Sequence, residues 1–66
     1  MQLFINGQEQ EVKPNITVSD LLKQLQINSA AIALELNLNI VPKNQFETIV
    51  LKEGDKLEII SFVGGG

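Results

Sequence analysis

At 66 residues the chain makes one domain, marginally stable on its own and too small for a large catalytic cleft. It has no cysteine, histidine, tryptophan, tyrosine or arginine, which removes disulfides, thiolate nucleophiles, imidazole proton shuttles and bidentate phosphate clamps. A formal charge of −3, from eight acidic residues against five scattered lysines, argues against nucleic acid or anionic membrane and for a partner with a basic face.

Leu3, Phe4 and Ile5 lead into Asn6-Gly7, the dipeptide best suited to a type I′ hairpin because both positions tolerate positive φ, and Gln8 to Val12 continues as a second strand. Pro14 and Asn15 break the pattern. Thr17 is a good helix N-cap with Asp20 in the capping-box position, and Ile16 is placed to staple against the first turn. Val18, Leu21, Leu22 and Leu25 then fall on one apolar stripe of a helix that should end at Asn28-Ser29. Ile32, Leu34 and Leu36 alternate with Ala33, Glu35 and Asn37 at period two, which predicts a strand with one buried face. Asn37 to Asn39 reads as a turn and Ile40-Val41 as a short edge strand closed by Pro42. Phe46, Ile49 and Val50 suggest a single turn plugging one end of the core, Glu53-Gly54-Asp55 a turn, and Lys56 to Phe62 the last strand.

The predicted order is β-β-α-β-β-β. The compact solution at this length is an α+β fold with one helix across one face of a single mixed sheet of four to five strands, the ubiquitin-like β-grasp arrangement. That arrangement pairs the first and last strands in parallel at the middle of the sheet. Residues 1–62 are then the folded domain and residues 63–66 a flexible glycine tail anchored on a stiff strand. No apolar stretch approaches the ~20 residues of a membrane span, and the N-terminus opens into a strand rather than a leader, so a cytoplasmic protein, monomeric when free, is expected.

Ser61-Phe62-Val63-Gly64-Gly65-Gly66 places an α-carboxylate on a slender backbone that no Cβ widens. A terminal glycine run is ordinarily a frayed end; here it follows a central strand, and Gly66 becomes the candidate for chemistry, with Gly64 and Gly65 as its tether. A bare carboxylate is a poor electrophile, so it would need activation by another protein. Phe4, Ile60 and Phe62 should share the open face of the sheet, either as ordinary exposed apolar residues or as a docking patch beside the tail. Glu9 with Glu11, and Glu53 with Asp55, lack a third oxygen-rich partner for a metal and read as solvated surface. No residue of the chain is singled out as catalytic or metal-binding.

The opening Met1-Gln2-Leu3-Phe4-Ile5-Asn6-Gly7, the Thr17-Val18 and Leu21-Leu22 helix start, Ala33-Leu34 and Asn37 with Ile40-Val41-Pro42, the Gly54-Asp55 turn and the final Val63-Gly64-Gly65-Gly66 together resemble the sulfur carriers of thiamine biosynthesis, the ThiS family. The resemblance covers essentially the whole chain, and its strength is in the conjunction. It implies that the Gly66 carboxylate is adenylated by a partner enzyme using ATP and magnesium and becomes a thiocarboxylate. It further implies a sulfur donor such as a cysteine desulfurase, and thiazole synthase as the acceptor. Gly65 matches the family's other invariant tail glycine, while Gly64 stands where the family varies. The alternatives are a sulfur carrier for molybdopterin synthesis, a ubiquitin-like modifier joined through Gly66 to a lysine, and an interaction domain whose tail is inert.

Overall fold

The computed structural model describes residues 1–62; the expected tail, residues 63–66, lies outside the described residues. The elements are β1 (Gln2–Ile5), β2 (Gln8–Glu11), the helix α1 (Val18–Gln24), β3 (Ile32–Leu36), β4 (Asn39–Ile40) and β5 (Lys56–Ser61), with short 3₁₀ turns at Ser29–Ala31 and Lys43–Gln45. They form one five-stranded sheet in the order β2-β1-β5-β3-β4. β5 is central, parallel to β1 and antiparallel to β3, as the predicted β-grasp requires. The two-residue β4 is an edge strand, short enough to offer little template for foreign pairing.

Local chemistry explains the joints. Asn6 (φ 51°) and Gly7 (φ 82°) both take the positive φ of a type I′ turn, and β1 and β2 pair from Gln2–Glu11 to Ile5–Gln8. The capping box forms in full: the Asp20 N–H donates to Thr17 Oγ1 at 3.0 Å and the Thr17 N–H donates to Asp20 Oδ2 at 3.1 Å. The helix stops short of Asn28. Gln26 takes φ 59°, its N–H bonds the Lys23 carbonyl and the Ile27 N–H bonds that of Leu22, a Schellman ending built on glutamine where glycine is usual. Asn28 instead caps the next turn, its Oδ1 accepting from the Ala30 N–H.

One face of the sheet is covered. Val18, Leu21 and Leu22 of α1 pack with Leu3, Ile5, Ile32, Leu34 and Leu57, all buried, and Leu25, Ile16 and Ile59 pack around this core. The segment before β5 departs from its predicted reading. Phe46 is buried and Ile49 partly so, but Val50 is 49 % exposed and Leu51 enters the core in its place. The expected turn forms as far as Ile49, where the Phe46 N–H bonds the Lys43 carbonyl and the Ile49 N–H that of Gln45. Past it the backbone is extended: Val50 bridges Thr17, the Val18 N–H bonds the Ile49 carbonyl and the Leu51 N–H bonds that of Ile16. An extended run alternates, so Ile49 and Leu51 point one way and Val50 the other. Val41, expected in the edge strand, lies just past it and is buried, its N–H bonded to the Leu34 carbonyl.

Candidate functional site: the root of the C-terminal tail

β5 delivers the chain to its terminus, and its neighbours hold it from both sides. On one side it pairs with β3 from Leu36–Leu57 to Ile32–Ser61, and the Phe62 N–H continues onto the Ala31 carbonyl at 2.8 Å. On the other side β1 contributes Phe4–Lys56 and Ile5–Leu57, and the Asn6 N–H reaches the Leu57 carbonyl at 2.8 Å. One further rung is made by a side chain: Asn6 Oδ1 accepts from the Ile59 N–H at 2.7 Å while Asn6 Nδ2 donates to the Ile59 carbonyl at 3.2 Å.

The predicted docking residues do share the uncovered face, but not one patch. Ile60 (50 % exposed) on β5 and Phe62 (59 % exposed) just past its end lie beside the root of the tail. Phe4 is half-buried and stands level with Lys56, four residues earlier in the parallel register, roughly 13 Å along the strand from Ile60 at 3.3 Å per residue. Ala33 lies opposite Ile60; next to that pair Glu58 lies opposite Glu35, and Ile40 lies opposite Glu35 on β4. The face is thus apolar at the tail end and acidic beside it. Gly64, Gly65 and Gly66 lie outside the described residues.

The carboxylates read as solvated surface divide. Glu53 and Asp55 are structural: Glu53 Oε1 accepts from the Gln2 N–H at 3.0 Å, Asp55 Oδ2 from the Lys52 N–H at 2.8 Å and Asp55 Oδ1 from Asn37 Nδ2 at 3.0 Å. Glu9 and Glu11 stand exposed on the edge strand β2, where Glu11 Oε1 accepts from Gln2 Nε2 at 3.4 Å. Among the described residues no group of three acidic side chains gathers into a metal site. No helix among them is long and apolar enough to cross a membrane. The bracing by Asn6, Asn37 and Asp55 was not legible beforehand, since each joins strands whose pairing depends on the whole sheet.

A helix over one face of a mixed sheet whose parallel first and last strands lie at its middle defines a ubiquitin-like β-grasp protein. The ThiS family model matches residues 3–66. Along its full length the chain is 33 % identical to the sulfur carrier protein ThiS of Escherichia coli strain K12, which it covers completely. It is 34 % identical over 65 residues to the sulfur carrier protein ThiS of Bacillus subtilis strain 168, covering 97 % of this chain and 98 % of that one. It is also 46 % identical over 66 residues to a thiazole synthase of Paramagnetospirillum magneticum, of which it spans only 20 %. The crystal structure of the thiamine biosynthesis protein ThiS from Geobacter metallireducens superposes with a TM-score of 0.87 at 30 % identity, each chain covered in full. The chain belongs to the ThiS family, the small sulfur carriers of thiamine biosynthesis.

Proposed function

We infer that Gly66 is the working group of this carrier. Its carboxylate oxygen attacks the α-phosphorus of ATP in the active site of a partner adenylating enzyme, pyrophosphate leaves, and an acyl-adenylate forms. Hydrosulfide then attacks the acyl carbon, AMP departs with the former carboxylate oxygen, and the terminus is left as a thiocarboxylate. Where the sulfur arrives as a persulfide, the acyl disulfide formed first is cleaved by a thiol, which is oxidised to a disulfide, to give the same thiocarboxylate. Magnesium and the cationic groups that stabilise the phosphates come from the partner, because this chain has no arginine. The sulfur, supplied by a donor such as a cysteine desulfurase, passes to thiazole synthase; the chain is a substrate of enzymes in the cytoplasm and not itself an enzyme. Ile60 and Phe62, with Phe4 farther along the face, dock those partners.

The observation that carries this reading is the match to the ThiS family through residue 66, glycine tail included. The central position of β5 supports it, because a terminus that follows the best-held strand departs from a fixed point. Likeness over 66 residues to a segment of a thiazole synthase supports that enzyme as the acceptor. The test is the intact mass of the chain after incubation with the adenylating enzyme, ATP, magnesium and hydrosulfide. The expected gain equals replacement of one oxygen by sulfur, confined to the C-terminal peptide and absent without ATP or from a chain lacking Gly66. No gain, with an enzyme active on another carrier, would overturn the assignment.

A further inference from the structure

β5 outruns its parallel neighbour. β1 pairs with it only at Phe4–Lys56 and Ile5–Leu57, because the chain turns away at Asn6-Gly7. The peptide groups of Ile59 on that side face no strand, and backbone donors and acceptors left unpaired within a sheet weaken it. The Asn6 amide fills the gap, accepting from the Ile59 N–H and donating to the Ile59 carbonyl, as the next residue of a longer β1 would have done. The amide orientation follows from the pairing, since the reversed one would set donor against donor and acceptor against acceptor.

Position 6 therefore meets two demands. It must take φ 51° ahead of Gly7 at φ 82°, and it must present an acceptor and a donor to Ile59. Glycine meets the first alone. Aspartate tolerates the turn and accepts from the N–H, but when ionised it has no donor for the carbonyl. Asparagine is suited to both.

Ile59 stands seven residues before Gly66. With the clamp, β5 is held on both sides as far as Ile59; without it, the hold on the β1 side ends at Leu57, about 7 Å earlier along the strand. We propose that Asn6 is a positioning residue for the carrier reaction: acting through β5, it sets the point and direction from which the tail bearing Gly66 leaves the sheet. Fixing the strand from which the terminus departs lowers the ordering cost of engaging an activating site. This rests on the reading of Gly66 as the activated carboxylate.

The test is steady-state AMP formation by the adenylating enzyme on the full chain, with hydrosulfide present, for the native chain, Asn6→Gly, Asn6→Asp and, as a control for lost stability, Val18→Ala. Amide exchange at Ile59 and thermal melts accompany each. Both Asn6 variants are expected to raise KM for the carrier about 3- to 10-fold with kcat within about 2-fold, the mark of lost pre-organisation. Ile59 exchange should quicken in both, while Val18→Ala lowers the melting temperature and leaves KM alone. Asn6→Asp carries the test if Asn6→Gly does not fold, and loss of fold in both overturns the proposal by making Asn6 a folding residue. Native KM in a folded Asn6 variant overturns it, as does an equal rise of KM in Val18→Ala. A native chain that the enzyme does not activate at all overturns the Gly66 reading instead.

Discussion

Thr17 and Asp20 cap each other: each backbone N–H donates to the other's side chain, at 3.1 and 3.0 Å, and together they open α1, the one α-helix among the described residues. Thr17→Ala should cost about 1 kcal/mol, a typical loss for an N-cap. At roughly 4–8 °C per kcal/mol for a domain of this size, the melting temperature should fall by several degrees, read by circular dichroism.

The same pair makes stability depend on pH. The hydrogen bond donated by the Thr17 backbone N–H, then that donated by its hydroxyl, holds the Asp20 carboxyl below its ordinary value of 3.8. The unfolded chain therefore binds the proton first as pH falls. The contribution is complete above the unfolded value and is lost as pH drops through 3.8 toward the lower folded value. Asp20→Asn should flatten the melting-temperature curve in that acid window relative to the native chain. Parallel curves would show that the capping carboxylate is not responsible.

Leu21 is fully buried between α1 and the sheet, in contact with the cluster that includes Leu3, Leu34 and Leu57. Leu21→Ala should cost about 2 to 5 kcal/mol by removing transfer energy and leaving a cavity. That is a large share of the total stability of a small domain, so chemical denaturation should show a much lower midpoint or a chain already partly unfolded in buffer.

Glu58 and Glu35 lie directly opposite on the uncovered face, two like charges across an antiparallel pair. Such pairs are unfavourable, and Glu58→Gln should raise stability by about 0.2 to 1 kcal/mol, with a smaller gain at high salt where the repulsion is screened. A loss of stability on this substitution would mean that the carboxylate makes a favourable contact.

Phe62 is more than half exposed beside the root of the tail. Phe62→Ala should weaken binding to the adenylating enzyme or thiazole synthase by about 1 kcal/mol or more, as truncating an aromatic anchor does, while moving the melting temperature little. Calorimetric titration and a thermal melt on the same preparation measure the two effects. A large stability loss with intact binding would remove Phe62 from the docking surface.

Short-range preferences made much of this molecule legible from its residues alone. The Asn6-Gly7 turn depends on φ at two neighbours, the Thr17–Asp20 box on residues three apart, the burial of Val18, Leu21 and Leu22 on the helical period, and β3 on strict alternation. The β-grasp topology followed because few arrangements bury one helix against these strands. Other features depended on which strands meet and in what register. Leu51 replaces Val50 in the core because that segment runs extended against Ile16 and Thr17. Phe4 shares a face with Ile60 yet stands apart from it because β1 pairs with the start of β5. Asn6 reaches Ile59, 53 positions later in the chain, only because β1 ends while β5 continues. A local preference acts over a few residues; such contacts arise only once the whole sheet has closed.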